Sequence, residues 1–85
     1  MLLILAMPIS KVQKKQLQAL GAKLQEIRKC KNLTLKELAY SINKDPQSIS
    51  RLEKGNINPS YLYLLEVCTG LEIDITELIG FLNKK

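Results

Sequence analysis

Histidine is absent from the 85-residue chain, and that absence closes off much of the chemistry open to a small protein. Without an imidazole there is no side chain whose ordinary titration falls near neutral pH, and no nitrogen ligand to complete a zinc site. The two cysteines, Cys30 and Cys68, lie far apart with no Cys-x-x-Cys spacing, so they read as reduced thiols buried on core-facing helical stripes. Half of the eight carboxylates, Glu37, Asp45, Asp74 and Glu77, fall where helices need caps. No acid–base pair, nucleophile relay or metal site is therefore expected, no cofactor is implied, and the chain is not read as an enzyme. What remains is charge. Residues 1–54 carry eleven Lys or Arg against four Asp or Glu, whereas residues 55–85 carry two against four. One half is suited to meeting a polyanion and the other is not. A solvated basic surface is the plainer reading of the same charge, so the elements that present it decide its meaning.

The length allows one domain, near the small end of what buries a useful core without disulfides or metal. With one Phe, three Tyr and no Trp in a 46% hydrophobic composition, that core must be built from Leu and Ile. The opening Met1–Met7 is apolar but too short to span a membrane, and it lacks the basic flank and cleavage site of a signal peptide. Two readings of it stay open: a true start at Met7, or a segment that packs on a partner subunit. Residues 1–9 are thus set apart as disordered or at a dimer contact, and residues 10–85 form the domain. A cytoplasmic location is expected.

Helical spacing runs through the whole domain, and no stretch alternates with period two. Ser10 precedes Gln13 by three residues as a capping box and opens a helix to about Lys31, with Leu17, Leu20, Leu24 and Ile27 on one stripe. Gly21 inside that run costs about 1 kcal/mol relative to Ala, which leaves room for a kink or restart there. Thr34 and Glu37 form a second capping box, followed by Leu35, Leu38, Ala39 and Ile42 at i, i+3, i+4 and i+7. Asn43 suits a left-handed stop. Asp45-Pro46 then supplies an N-cap with proline at the first helical position. The third helix points Ile49 and Leu52 inward and ends at Gly55. A fourth begins at Pro59 or Ser60, with Tyr61, Leu64, Cys68 and Leu71 as its inner stripe, and Asp74 with Glu77 caps a fifth carrying Ile75, Leu78, Ile79 and Leu82.

Two short helices across a tight turn, with small Ala39 where they cross, make a helix-turn-helix. The runs Leu33-Thr-Leu-Lys-Glu-Leu-Ala39, Asp45-Pro-Gln-Ser-Ile-Ser-Arg-Leu-Glu-Lys-Gly55 and Asn58-Pro-Ser60 resemble the Xre/Cro-type helix-turn-helix of phage repressors and bacterial regulators, over roughly residues 18–82. The resemblance implies an all-α, compact five-helix bundle that binds double-stranded DNA with its third helix in the major groove. It places base-reading positions on Gln47, Ser48 and Arg51, with Ser50 and Asp45 at the groove margin. The chemistry agrees, since an amide pairs twice with adenine and a guanidinium grips guanine O6 and N7. Phosphate contacts fall on Lys36, Lys44, Lys54, Asn56 and Asn58, with Asp45 beside them. Arg28 and Glu53 correspond to the family's structural ion pair.

Four positions depart from the family pattern: Lys44 for an apolar turn residue, Asn43 for glycine, Leu35 for a DNA-contacting glutamine, and Pro46 at a position that often reads a base. They leave the fold intact and narrow the direct readout. A nine-residue recognition helix carries little specificity alone, so a homodimer with half-sites about 34 Å apart is expected, reading a pseudo-palindrome. The surplus apolar residues Leu62, Tyr63, Leu65, Ile79, Phe81 and Leu82 are assigned to that contact. The leading expectation is a transcriptional regulator, most simply a repressor. An antitoxin-type autoregulator with a toxin or co-regulator partner stays open, as does a protein-interaction module that no longer reads DNA.

Overall fold

A computed structural model describes residues 10–83 of the chain, and within them it contains five α-helices and no strand. These are α1 (Lys11–Cys30), α2 (Leu35–Ser41), α3 (Pro46–Glu53), α4 (Tyr61–Leu71) and α5 (Ile75–Asn83). The apolar segment 1–9 lies outside the described residues.

Each helix starts where a local cap satisfies amides that have no helical acceptor. Ser10 Oγ accepts from the Gln13 amide at 3.1 Å while the Gln13 side chain accepts from the Ser10 amide at 3.0 Å. Thr34 and Glu37 repeat this at 3.0 and 2.8 Å. Asp45 caps α3 through the Gln47 amide, and Ser60 caps α4 through the Tyr63 amide. The Glu77 carboxylate reaches back to the Asp74 amide at the start of α5.

Four ends close through a left-handed residue: Asn32, Asn43, Gly55 and Glu72, with φ of 59°, 58°, 75° and 60°. After α3, the Gly55 amide donates to Leu52 O and the Asn56 amide to Arg51 O, so two orphan carbonyls are taken up in one reversal. After α2, the Asn43 and Lys44 amides do the same with Tyr40 O and Ala39 O. Asn43 adopts the conformation that glycine usually supplies, which is why the family's turn survives the replacement.

All five helices feed one core: Leu24 from α1, Leu38 and Ala39 from α2, Ile49 and Leu52 from α3, Val67, Cys68 and Leu71 from α4, and Leu78 from α5. Three expectations need correcting. Helix α1 is unbroken at Gly21, which instead lets α3 approach: a Cβ there would stand 2.3 Å from Leu52 O and 2.4 Å from Glu53 O. Tyr61 is exposed rather than on the inner stripe, because it is the first residue of α4; Tyr63 packs against the core in its place. Cys30 is exposed rather than buried. It follows Gly21 by nine residues, about two and a half turns, so it faces away from the buried side of α1.

Cys68 is buried, and burial first and the Asp74 charge second push its thiol above the ordinary cysteine range. A thiol reagent at mildly alkaline pH should therefore modify one cysteine per native chain and both after denaturation. Two thiols reacting at the same rate in the native protein would contradict this placement.

Candidate nucleic-acid interface

Helix α3 has two sides of opposite character. Ile49, Leu52 and Glu53 are buried against the bundle. Gln47, Ser50, Arg51 and Lys54 follow the spacing i, i+3, i+4 and i+7 and so line the outer side. Gln47, Arg51 and Lys54 are exposed, and Ser50 is half-buried. Of the positions assigned to the groove, Gln47 and Arg51, with Ser50 at the margin, thus share one outward stripe. Ser48 is half-buried at its flank.

A buried ion pair holds the C-terminal end of α3. Arg28 Nε lies 2.7 Å from Glu53 Oε2, and its second terminal nitrogen donates to Glu53 Oε1 at 3.1 Å. The remaining terminal nitrogen donates to Leu33 O at 2.7 Å, and Gln25 adds a bond to Glu53 Oε1 at 3.3 Å. One guanidinium therefore ties α1 to α3 and to the entry of α2. Both side chains are less than a tenth exposed, so neither faces a duplex.

Lys14 supplies a second tie that sequence reasoning missed. Its ammonium donates to Gly55 O at 2.7 Å and to the Asn56 side-chain oxygen, bridging α1 to the loop after α3. A cation here also opposes the negative end of the α3 dipole. Nothing local marks Lys14, since its partners lie 41 and 42 residues away.

The N-terminal end of α3 is joined to α4 by side chains. Ser48 Oγ and the Tyr63 hydroxyl are hydrogen-bonded to each other. Lys44, in the turn, lies 2.8 Å from Glu66 Oε1 and 5.4 Å from the centre of the Tyr63 ring. Tyr63, assigned from sequence to a subunit contact, is thus part of the recognition helix's support. Lys44 has a carboxylate partner already. Asp45, exposed, uses its carboxylate to cap its own helix.

Around this stripe, Lys36 on α2 is exposed, as are Asn56 and Asn58 in the loop before α4. Leu35 packs against the core instead. Exposed apolar side chains occur on α4 and α5: Leu62, Ile79 and Phe81 are 70%, 45% and 42% exposed. Leu65 is half-buried, and Leu82 packs on the core. Lys23 sits over the Phe81 ring at 5.0 Å. Among the described residues no cluster of metal-ligating side chains occurs, and no helix is long and apolar enough to cross a membrane.

The geometry is that of a DNA-binding helix-turn-helix bundle. The helix-turn-helix family profile matches residues 24–78, and the chain belongs to that family, in its Xre branch. No curated protein matches the sequence. Among solved structures, the clp gene regulator ClgR from Corynebacterium glutamicum is 33% identical, with a TM-score of 0.75, covering 79% of this chain and 87% of its own. The restriction-modification controller protein C.AhdI from Aeromonas hydrophila is 31% identical with a TM-score of 0.73, covering 76% of this chain and 94% of its own. A point mutant of the restriction-modification controller protein C.Esp1396I is 28% identical with a TM-score of 0.74, covering 79% and 85%. The protein is a DNA-binding transcriptional regulator.

Proposed function

We propose that the protein is a repressor that binds a pseudo-palindromic operator as a homodimer in the cytoplasm. The observation that carries this reading is the outer stripe of α3, where Gln47, Arg51 and Lys54 are exposed and Ser50 is half-buried among them. Gln47 and Arg51 read base edges, with Ser50 between them and Ser48 at the flank. Lys36, Lys54, Asn56 and Asn58 meet phosphates; Lys44 joins them to the extent that Glu66 releases it, and Asp45 stays at the margin as the N-cap. Repression asks nothing more of such a module than occupancy of a promoter site. The relatives named as a gene regulator and as controllers act in the same field. The dimer forms through Leu62, Leu65, Ile79 and Phe81, with Leu82 behind them, because these apolar side chains gather on helices that the DNA side does not use.

Selection of bound sequences from a random duplex pool tests this. The expected product is two inverted half-sites about one helical turn apart. In Arg51→Ala, the preference for guanine over the other bases at the position it reads should fall by about tenfold or more, while binding to random duplex changes far less. Equal losses on both substrates would remove Arg51 from the base-reading set, and a pool returning no common sequence would end the reading.

A further inference from the structure

A hydroxyl has one hydrogen to give and two lone pairs to receive, so an isolated serine on a recognition helix accepts from one base as readily as it donates to another. Ser48 is not isolated. Its Oγ is bonded to the hydroxyl of Tyr63, which reaches it from α4 fifteen residues away. Two hydroxyls bonded to each other consume one hydrogen and leave one.

We propose that Tyr63 is a specificity-determining positioning residue, which biases Ser48 toward donating its hydrogen to the DNA. This rests on the reading of α3 as the recognition helix. A phenol is the stronger donor of the two groups, so the favoured arrangement has Tyr63 giving its hydrogen to Ser48 Oγ. The Lys44 ammonium at 5.4 Å from the ring centre reinforces that direction, because a nearby cation favours electron density on the phenolic oxygen side of the bond. Lys44 is itself held in place by Glu66 at 2.8 Å. The Ser48 hydrogen is then the one left over, and a hydroxyl that already accepts one bond is the better donor and the poorer acceptor through its second lone pair. The hydrogen suits an acceptor on a base edge, such as guanine or adenine N7, guanine O6 or thymine O4, and offers nothing to cytosine, which presents only an amino group.

Tyr63 touches neither base nor phosphate in this arrangement; it acts through Ser48. Both residues are half-buried.

The test compares wild type, Tyr63→Phe, Ser48→Ala and the double variant on the selected operator, on operators changed at one position at a time, and on random duplex, with thermal melts of each protein. In Tyr63→Phe the preference for an acceptor-bearing base should fall about threefold to tenfold at one position of each half-site. Affinity for random duplex and its salt dependence should stay unchanged. Ser48→Ala should lose the same preference at the same position, and the double variant should lose no more than either single one. If Tyr63→Phe proves too unstable to assay, Ser48→Ala alone must still lose preference at that position; otherwise the inference fails. An unchanged base profile in Tyr63→Phe, additive losses in the double variant, or equal weakening on operator and random duplex would each overturn it. A wild-type protein with base preferences that Tyr63→Phe does not alter defeats only this inference, whereas a wild-type protein with none defeats the DNA-reading proposal beneath it.

Discussion

Arg28→Ala should leave the protein largely unfolded at temperatures where the wild-type chain is native. The substitution deletes the two bonds to Glu53 and the one to Leu33 O, and it strands the Glu53 carboxylate in a site that is 8% exposed. Gln25, at 3.3 Å, is the remaining partner and is neutral. Breaking a buried pair from one side costs about 3–5 kcal/mol, against about 5–15 kcal/mol of total stability for a folded domain. Circular dichroism melts should show a midpoint lowered by about 15 °C or more. Arg28→Met combined with Glu53→Leu should recover much of the loss, because no charge is then left unpaired. A single variant within about 1 kcal/mol of wild type would mean that Glu53 finds water or another cation.

Gly21→Ala is the second large effect, and its sign opposes helix propensity. In an exposed helix interior the change stabilises by about 1 kcal/mol. Here the new methyl would meet two backbone carbonyl oxygens of α3, at 2.3 and 2.4 Å, and neither is the end of a flexible side chain. Helix α1 must withdraw from the end of α3 that carries Glu53. Overpacking of this kind costs about 1–3 kcal/mol, and the withdrawal also stretches the Arg28–Glu53 pair. Denaturant unfolding should give a lower midpoint, with operator affinity falling along with it. A midpoint above wild type would mean that the two helices part at less cost than the helix propensity gained.

What was legible in the sequence was local. Ser10 with Gln13, Thr34 with Glu37, and Asp45 before Pro46 act over two or three residues, and each cap stands where its spacing predicts. Asn43 and Gly55 end helices because their own backbone preferences do so. The errors came where a residue's surroundings lie far along the chain. Gly21 reads as a weak point until the α3 carbonyls are placed against it. Tyr61 satisfies the apolar spacing but sits at a helix end, and Tyr63 breaks the expected stripe because Ser48 gives its hydroxyl a partner. Lys14 and Lys44 look like any other lysine; their roles are set by Gly55 O and Glu66, across 41 and 22 residues. For the candidate interface, the spacing of α3 gives its outward side directly, whereas the supports that orient it are tertiary.

The internal ties of Lys14, Lys23, Arg28 and Lys44 bear on how ionic strength acts on this regulator. Four of its thirteen basic side chains already face an acceptor or carboxylate within the fold. The gross count of basic side chains therefore overstates how many are available to displace condensed cations when the protein docks on a duplex. Each phosphate neutralised contributes about −0.9 to the logarithmic dependence on salt, and only side chains that reach the backbone count. A protomer of this composition thus holds its target across a wider range of cellular ion concentrations than a tally of lysines and arginines suggests.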